Sequence, residues 1–213
     1  MIKKYEIDTM LYHSCTCCVL LWDVCLIKGL RCNLVIETHS MFCGSMWYDI
    51  KFSSYLPRIY RMVDRVVSLS QVDVEFWKNY APTYFIPNPI DCISRKNISN
   101  NYNSQNIIWV GRLAEEKNPY AILEAFSIVH NELPSATLTI VGDNDDPSWM
   151  RGLQERANHL NIEQNVEFCG YELEIGEYYQ MASIFAMTSL SESFSMVLAE
   201  SKEYGLPAVM FEL

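Results

Sequence analysis

Positive charge is what this 213-residue sequence is short of: 16 Lys and Arg stand against 26 Asp and Glu, a net of -10. Phosphate backbones are gripped by clustered cations, so that balance excludes a nucleic-acid binder. Long apolar runs are missing too. Val19–Ile27 is the most hydrophobic stretch, yet Asp23 interrupts it and Lys28 closes it, far short of the roughly 20 residues of a membrane-spanning helix. Only a peripheral membrane contact stays open. With no secretory signal peptide, the cysteines (Cys15, Cys17, Cys18, Cys25, Cys32, Cys43, Cys92 and Cys169) are expected to be buried free thiols of a cytoplasmic protein. His13 beside Cys15, Cys17 and Cys18 invites a metal cluster, but the spacing has no second matched pair and lies in a segment that reads as a helix, so no metal site is assigned. A Gly-x-x-x-x-Gly-Lys-[Ser/Thr] segment is absent, which disfavours a phosphate-loop ATPase. Gly-x-Gly-x-x-Gly is absent as well, which weakens a dinucleotide dehydrogenase.

What the chain does have is alternation. In the first half, Thr9–Gly29 reads as a helix, Asn33–Thr38 as a buried strand, Phe52–Val63 as a helix, Arg65–Ser70 as a strand, Gln71–Tyr80 as a short helix and Thr83–Pro87 as a strand. Pro87 and Pro89 stop that strand. A stretch rich in Asn and Ser follows, coinciding with a change in charge: residues 1–96 carry 11 cations against 9 anions, residues 97–213 carry 5 against 17. In the second half, strands at Asn106–Val110, Ala136–Val141, Asn165–Cys169, Ile184–Thr188 and Ala208–Phe211 alternate with helices at Pro119–Asn131, Ser148–Leu160, Glu174–Met181 and Ser195–Tyr204. Short apolar strands between amphipathic helices mean parallel sheets covered on both faces. The expected fold is α/β: two Rossmann-like parallel-sheet domains, with residues 1–96 a partial first domain, 97–105 a linker and 106–213 the second domain.

Ligands of open parallel sheets bind at the carboxyl ends of the strands, so what those ends carry matters most. Gly111 and Arg112 follow the first strand of the second half, and Lys117 opens the next helix. Gly142, then Gly170 and Tyr171, follow the second and third strands, and a serine-rich turn, residues 189–195, follows the fourth. Glycine permits close backbone approach and helix starts favour anions. Arg and Lys suit a diphosphate, although the pair would also suit a solvated helix start beside Glu115 and Glu116. Glu192 and Glu200 lie eight residues apart, a span of about 12 Å on a helix, enough to meet two parts of one elongated ligand. Asp143, Asp145 and Asp146 are expected to cap the helix near Ser148 rather than to form a metal-binding Asp-x-Asp.

Taken together, Val110-Gly111-Arg112-Leu113-x-x-Glu116-Lys117-Asn118, Leu138-x-Ile140-Val141-Gly142, Val166-x-Phe168-x-Gly170, Thr188-Ser189, the Glu192-x7-Glu200 pair and Gly205-Leu206-Pro207 resemble the group 1 (family 4-like) glycosyltransferases of the two-domain GT-B fold. The likeness is looser before residue 105, where Ser68-x-Ser70 and Ile86–Asp91 resemble the end of the first domain. The resemblance implies a nucleoside-diphosphate-sugar donor as co-substrate, a glycan or lipid-linked glycan acceptor, retention of anomeric configuration, no cofactor and no required metal, and work in polysaccharide assembly at the inner face of the membrane. By it, Arg112 and Lys117 bind the diphosphate and stabilise the departing nucleoside diphosphate, Glu200 holds the ribose and Glu192 contacts the donor sugar. The backbone around Gly111, Gly142, Gly170, Tyr171, Ser193, Phe194, Ser195 and Met196 lines the donor. His39 falls where similar enzymes place a histidine facing the donor sugar; a routine loop hydrogen bond is its other reading. Serine stands at 193 and 195 where such enzymes often have glycine, no glycine-rich loop precedes Gly29, and the sequence is expected to be truncated at both ends. A nucleotide-sugar 2-epimerase, a phosphorylase-like enzyme and a non-catalytic transferase-like module are the alternatives.

Overall fold

The computed structural model describes residues 5–14, 21–38, 56–90 and 103–212. They fall into two compact units, Met1–Pro89 with Ser191–Phe194, and Ile90–Leu190 with Ser195–Leu213.

The first unit holds four parallel strands in the order β1 (Thr9–Ser14), β2 (Asn33–Thr38), β3 (Arg65–Ser68) and β4 (Thr83–Phe85), with helices α1 (Leu21–Gly29), α2 (Leu56–Tyr60) and α3 (Gln71–Trp77). Its core gathers Val24 and Ile27 of α1, Leu34 and Ile36 of β2, Val66 of β3, and Trp77 stacked 3.8 Å from Tyr60 between ring centroids. The Asp64 carboxylate ties α1 to β2: it accepts from Lys28 Nζ at 2.8 Å and from the Leu34 N–H at 2.7 Å. Burial pushes this carboxyl up, but those two donors and the nearby Arg65 charge outweigh it, leaving it below the ordinary range.

One helix expected over Thr9–Gly29 is instead a strand, Thr9–Ser14, and a shorter helix, Leu21–Gly29. Thr9–Ser14 pairs residue for residue with Asn33–Thr38. Met10 and Tyr12 pack on the core while Leu11 and His13 face outward, so the ladder overrides the helix-forming Met and Leu. Cys25 is exposed rather than buried, while Cys32 is buried and Cys169 half-buried. Cys15, Cys17, Cys18, Cys43, Cys92 and His39 lie outside the described residues, and among those described no three His, Cys, Asp or Glu gather as a metal site.

In the second unit, five parallel strands, β5 (Asn106–Val110), β6 (Thr137–Val141), β7 (Val166–Gly170), β8 (Ile184–Met187) and β9 (Ala208–Met210), lie in the order β7-β6-β5-β8-β9. Helices α4 (Pro119–Glu132), α5 (Ser148–His159), α6 (Gly176–Met181) and α7 (Met196–Glu203) connect them. Strand alternation sorts the core into two layers. Trp109, Leu138, Ile140 and Ala186 face α4 and α5 through Ile122, Leu123, Phe126, Leu153 and Ala157. Ile108, Val110, Phe185 and Met187 face α6 and α7 through Tyr179, Val197 and Leu198. The apolar spacing of α4 delivers its buried face, and its start is set by Asn118, left-handed at φ 49°, followed by Pro119 at the first helical position.

Candidate functional site

From the central strand β5 the chain moves outward to β6 and β7, then returns to the other side of β5 for β8 and β9. The winding reverses between β5 and β8, and ligands of such sheets bind in the crevice beyond those carboxyl ends. Residues 111–118 after β5 and residues 188–190 after β8 supply its loops.

Backbone hydrogen bonds draw the three glycines into line. The Gly111 N–H donates to the Val141 carbonyl at 3.0 Å, and the Gly142 N–H to the Gly170 carbonyl at 2.7 Å. Gly142 sits at φ +147°, and a Cβ there would stand 1.8 Å from the Gly111 carbonyl oxygen. The room that glycine leaves at 142 is therefore occupied by the backbone of the neighbouring loop. Gly170, at φ +72°, opens onto free space.

A cleft of about 310 Å³ is lined by Arg112, Asp143, Asn144, Asp145 and Tyr171. Asn144 braces one side: its Nδ2 donates to the Leu113 carbonyl at 2.7 Å and its Oδ1 accepts the Asp146 N–H at 2.8 Å. None of the three aspartates expected to cap α5 is its N-cap residue, which is Pro147. Asp146, one residue before it, accepts the Ser148 N–H at 2.9 Å through Oδ1, a bond that holds its carboxyl below the ordinary range. Asp143 and Asp145 face the cleft instead, Asp143 accepting the N–H of its neighbour Asn144 at 2.7 Å.

Arg112 is exposed and pairs with the Glu116 carboxylate four residues on. Burial pushes the Glu116 carboxyl up, but its own backbone N–H and the Arg112 and Lys117 charges outweigh this and leave it low. A guanidinium has five N–H donors, so this pair orients Arg112 with donors to spare. Lys117 ends the 3-10 turn Glu115–Lys117, and the turn is anchored from the other side of the crevice. The buried Thr188 hydroxyl accepts the Trp109 indole N–H at 3.0 Å and donates toward the Lys117 and Asn118 carbonyls at 3.0 and 2.9 Å. The Leu190 N–H donates to the Glu116 carbonyl at 2.8 Å. Sequence motifs include Thr188 but give it no task, and Trp109 reads there only as part of a strand.

Glu200 lies on α7, where its Oε2 accepts from the buried Tyr179 hydroxyl at 3.3 Å. Burial raises the Glu200 carboxyl, and the Tyr179 bond works against that rise. Ser195 caps α7, its Oγ accepting the Leu198 N–H at 3.4 Å, so this serine is at a place where the helix itself uses it. Met196 opens the same helix. Glu192, Ser193 and Phe194 group with the first unit. Tyr171 is exposed at the cleft, whereas His39 lies outside the described residues. In the first unit, His13 lies next to the end of β1 and its Nδ1 is 2.8 Å from Glu37 Oε2 on β2. Once that segment is a strand, this pair sits at the carboxyl edge of its sheet, where the helix expectation could not put it.

Two parallel-sheet α/β units, the second with its loops gathered at a switch point, define a GT-B type Rossmann-like protein. Residues 93–212 match the family described as glycosyl transferases group 1, and the chain belongs to that family. It is 30% identical over 165 residues to the amylovoran biosynthesis glycosyltransferase AmsD of Erwinia amylovora, covering 72% of this chain and 44% of that protein. Over 215 residues it is 26% identical to an uncharacterized glycosyltransferase of Haemophilus influenzae, covering 99% and 59%. The chain thus spans about half the length of these curated relatives. Among solved structures it is similar to Anabaena HepE in complex with UDP (TM-score 0.77, 21% identity, 98% of this chain and 60% of that one). It is also similar to the pneumococcal O-GlcNAc transferase GtfA in complex with UDP and GlcNAc (TM-score 0.75, 18% identity, 100% and 44%). The Erwinia and Haemophilus proteins and GtfA carry transferase names, which do not favour an epimerase or a non-catalytic module.

Proposed function

We propose that the protein takes part in retaining, family 4-like transfer of a hexosyl-type sugar from a nucleoside-diphosphate donor to a hydroxyl of a glycan or lipid-linked glycan. The observation that carries this is the anchored turn. Lys117 and Arg112 stand on one loop at the switch point, and Thr188 and Leu190 pin that loop across the crevice. Positive charge fixed before the reaction stabilises a leaving diphosphate without reorganisation. In this assignment residues 106–213 bind the donor, residues 1–96 serve the acceptor and 97–105 link them. Glu200 accepts from the ribose hydroxyls, Glu192 meets the donor sugar, and Gly111, Gly142, Gly170, Tyr171 and residues 193–196 line the donor. The cations take the role a metal plays elsewhere, so no metal or cofactor is assigned. Among the described residues no helix is long and apolar enough to cross a membrane, and a cytoplasmic protein working at the inner membrane face is the setting we assign.

UDP is the first nucleotide to test, since similar structures hold it. Calorimetry with UDP, GDP and ADP should find one that binds, and Lys117→Ala should weaken it by about 1.5–3 kcal/mol, roughly ten- to a hundredfold. Equal binding by the variant would remove Lys117 from the diphosphate site.

A further inference from the structure

We propose that Tyr179 is a positioning residue for Glu200, its buried hydroxyl fixing the carboxylate in the orientation that receives the ribose hydroxyls of the donor nucleotide. This rests on the assignment of Glu200 to the ribose and adds what holds that carboxylate in place.

Tyr179 comes from α6, is 1% exposed, and has its ring between Phe185 of β8 and Tyr204 just past α7, with centroids 6.3 and 5.3 Å away. Its hydroxyl lies 3.3 Å from both Glu200 Oε2 and the Val197 carbonyl. A phenol has one proton to give. The Val197 carbonyl sits inside a helix, where the amide four residues on is its ladder partner, and the carboxylate is the stronger acceptor because it is charged. The proton therefore belongs to Glu200. Glutamate is a rotamer-rich side chain whose ordering opposes any contact it makes. A donor held rigidly by packed aromatic rings does that ordering before the nucleotide arrives, and engages Oε2 while leaving Oε1 for the sugar. It also favours the ionised carboxylate against the effect of burial, and an ionised carboxylate is the form that accepts from two hydroxyls.

The test compares, on the full chain, whichever of UDP, GDP and ADP binds with its 2′,3′-dideoxy form, across wild type, Tyr179→Phe, Glu200→Gln and the double variant. Phenylalanine keeps the ring against Phe185 and Tyr204 and deletes only the oxygen, and near-ultraviolet circular dichroism checks that the core stays packed. The expected result is a wild-type preference for the ribonucleotide that Glu200→Gln abolishes. Tyr179→Phe should reduce that preference about three- to tenfold, leave dideoxynucleotide affinity within twofold, and add nothing to Glu200→Gln. If Tyr179→Phe weakens both nucleotides equally, or neither, the tyrosine only packs; the positioning role is overturned while the ribose assignment stands. If the wild type shows no ribose preference, Glu200→Gln leaves one intact, or no nucleotide binds, the ribose assignment fails and takes this proposal with it.

Discussion

Replacing Thr188 by valine deletes one hydroxyl at nearly constant shape, and the network around it sets the consequence. The Trp109 indole N–H, on a residue 2% exposed, loses its acceptor at 3.0 Å. A buried donor left unmade costs about 1–3 kcal/mol. The Lys117 and Asn118 carbonyls lose a donor at 3.0 and 2.9 Å, worth about 0.5–1.5 kcal/mol net. The new methyl returns about 0.8 kcal/mol of apolar burial. The balance is a loss of about 1–4 kcal/mol, read as a lowered urea midpoint by far-ultraviolet circular dichroism with the slope unchanged. Trp109→Phe supplies the internal control. Without an indole N–H to strand, Thr188→Val should cost at least about 1 kcal/mol less than in the wild-type background. Equal costs in the two backgrounds, within about 0.5 kcal/mol, would refute a bond in which hydroxyl and indole act together.

Two further outcomes follow from the same contacts. Gly142→Ala places a Cβ 1.8 Å from the Gly111 carbonyl at a φ that L side chains rarely adopt, so it should destabilise by about 3 kcal/mol or more, or prevent accumulation of soluble protein; near wild-type melting would contradict the close approach. Asp64→Asn should cost about 1–2 kcal/mol at pH 7. Because the folded Asp64 carboxyl lies low, its contribution is complete above about pH 4 and is lost as pH falls through the folded value. Urea titrations of wild type and variant should therefore converge as pH falls through that folded value, and a difference that does not narrow with falling pH would show that charge is not its source.

The second unit is legible in sequence because each of its elements states its period. Ile107–Val110 is a short apolar run, and Ile122, Leu123 and Phe126 repeat on one helical face, so strands and helices fall within a residue or two of expectation. The carboxyl-edge glycines are legible for the same reason, each following a strand. In the first unit, Met10, Leu11 and Tyr12 are apolar on both faces, and neither period stands out. Only pairing with Asn33–Thr38 makes that segment a strand, and pairing is a long-range fact.

Long range is also why the supports of the site escape a reading of motifs. Trp109 and Thr188 are 79 residues apart, Thr188 and the Lys117 carbonyl 71, Tyr179 and Glu200 21. A motif records the side chains that would meet a ligand, Arg112, Lys117 and Glu200, because they share chemistry with it. The groups that hold those side chains share chemistry with the protein instead: an indole, a hydroxyl and a phenol, each looking like ordinary core in its own segment. The same division explains Gly142, whose missing Cβ admits the Gly111 carbonyl. Gly111 and Gly142 thus build the edge, and Arg112, Lys117 and Glu200 supply the charge at it. Under the proposed assignment the ligand-facing residues can change while this frame is kept, since the bonds that set the loop run through backbone carbonyls and a single buried threonine.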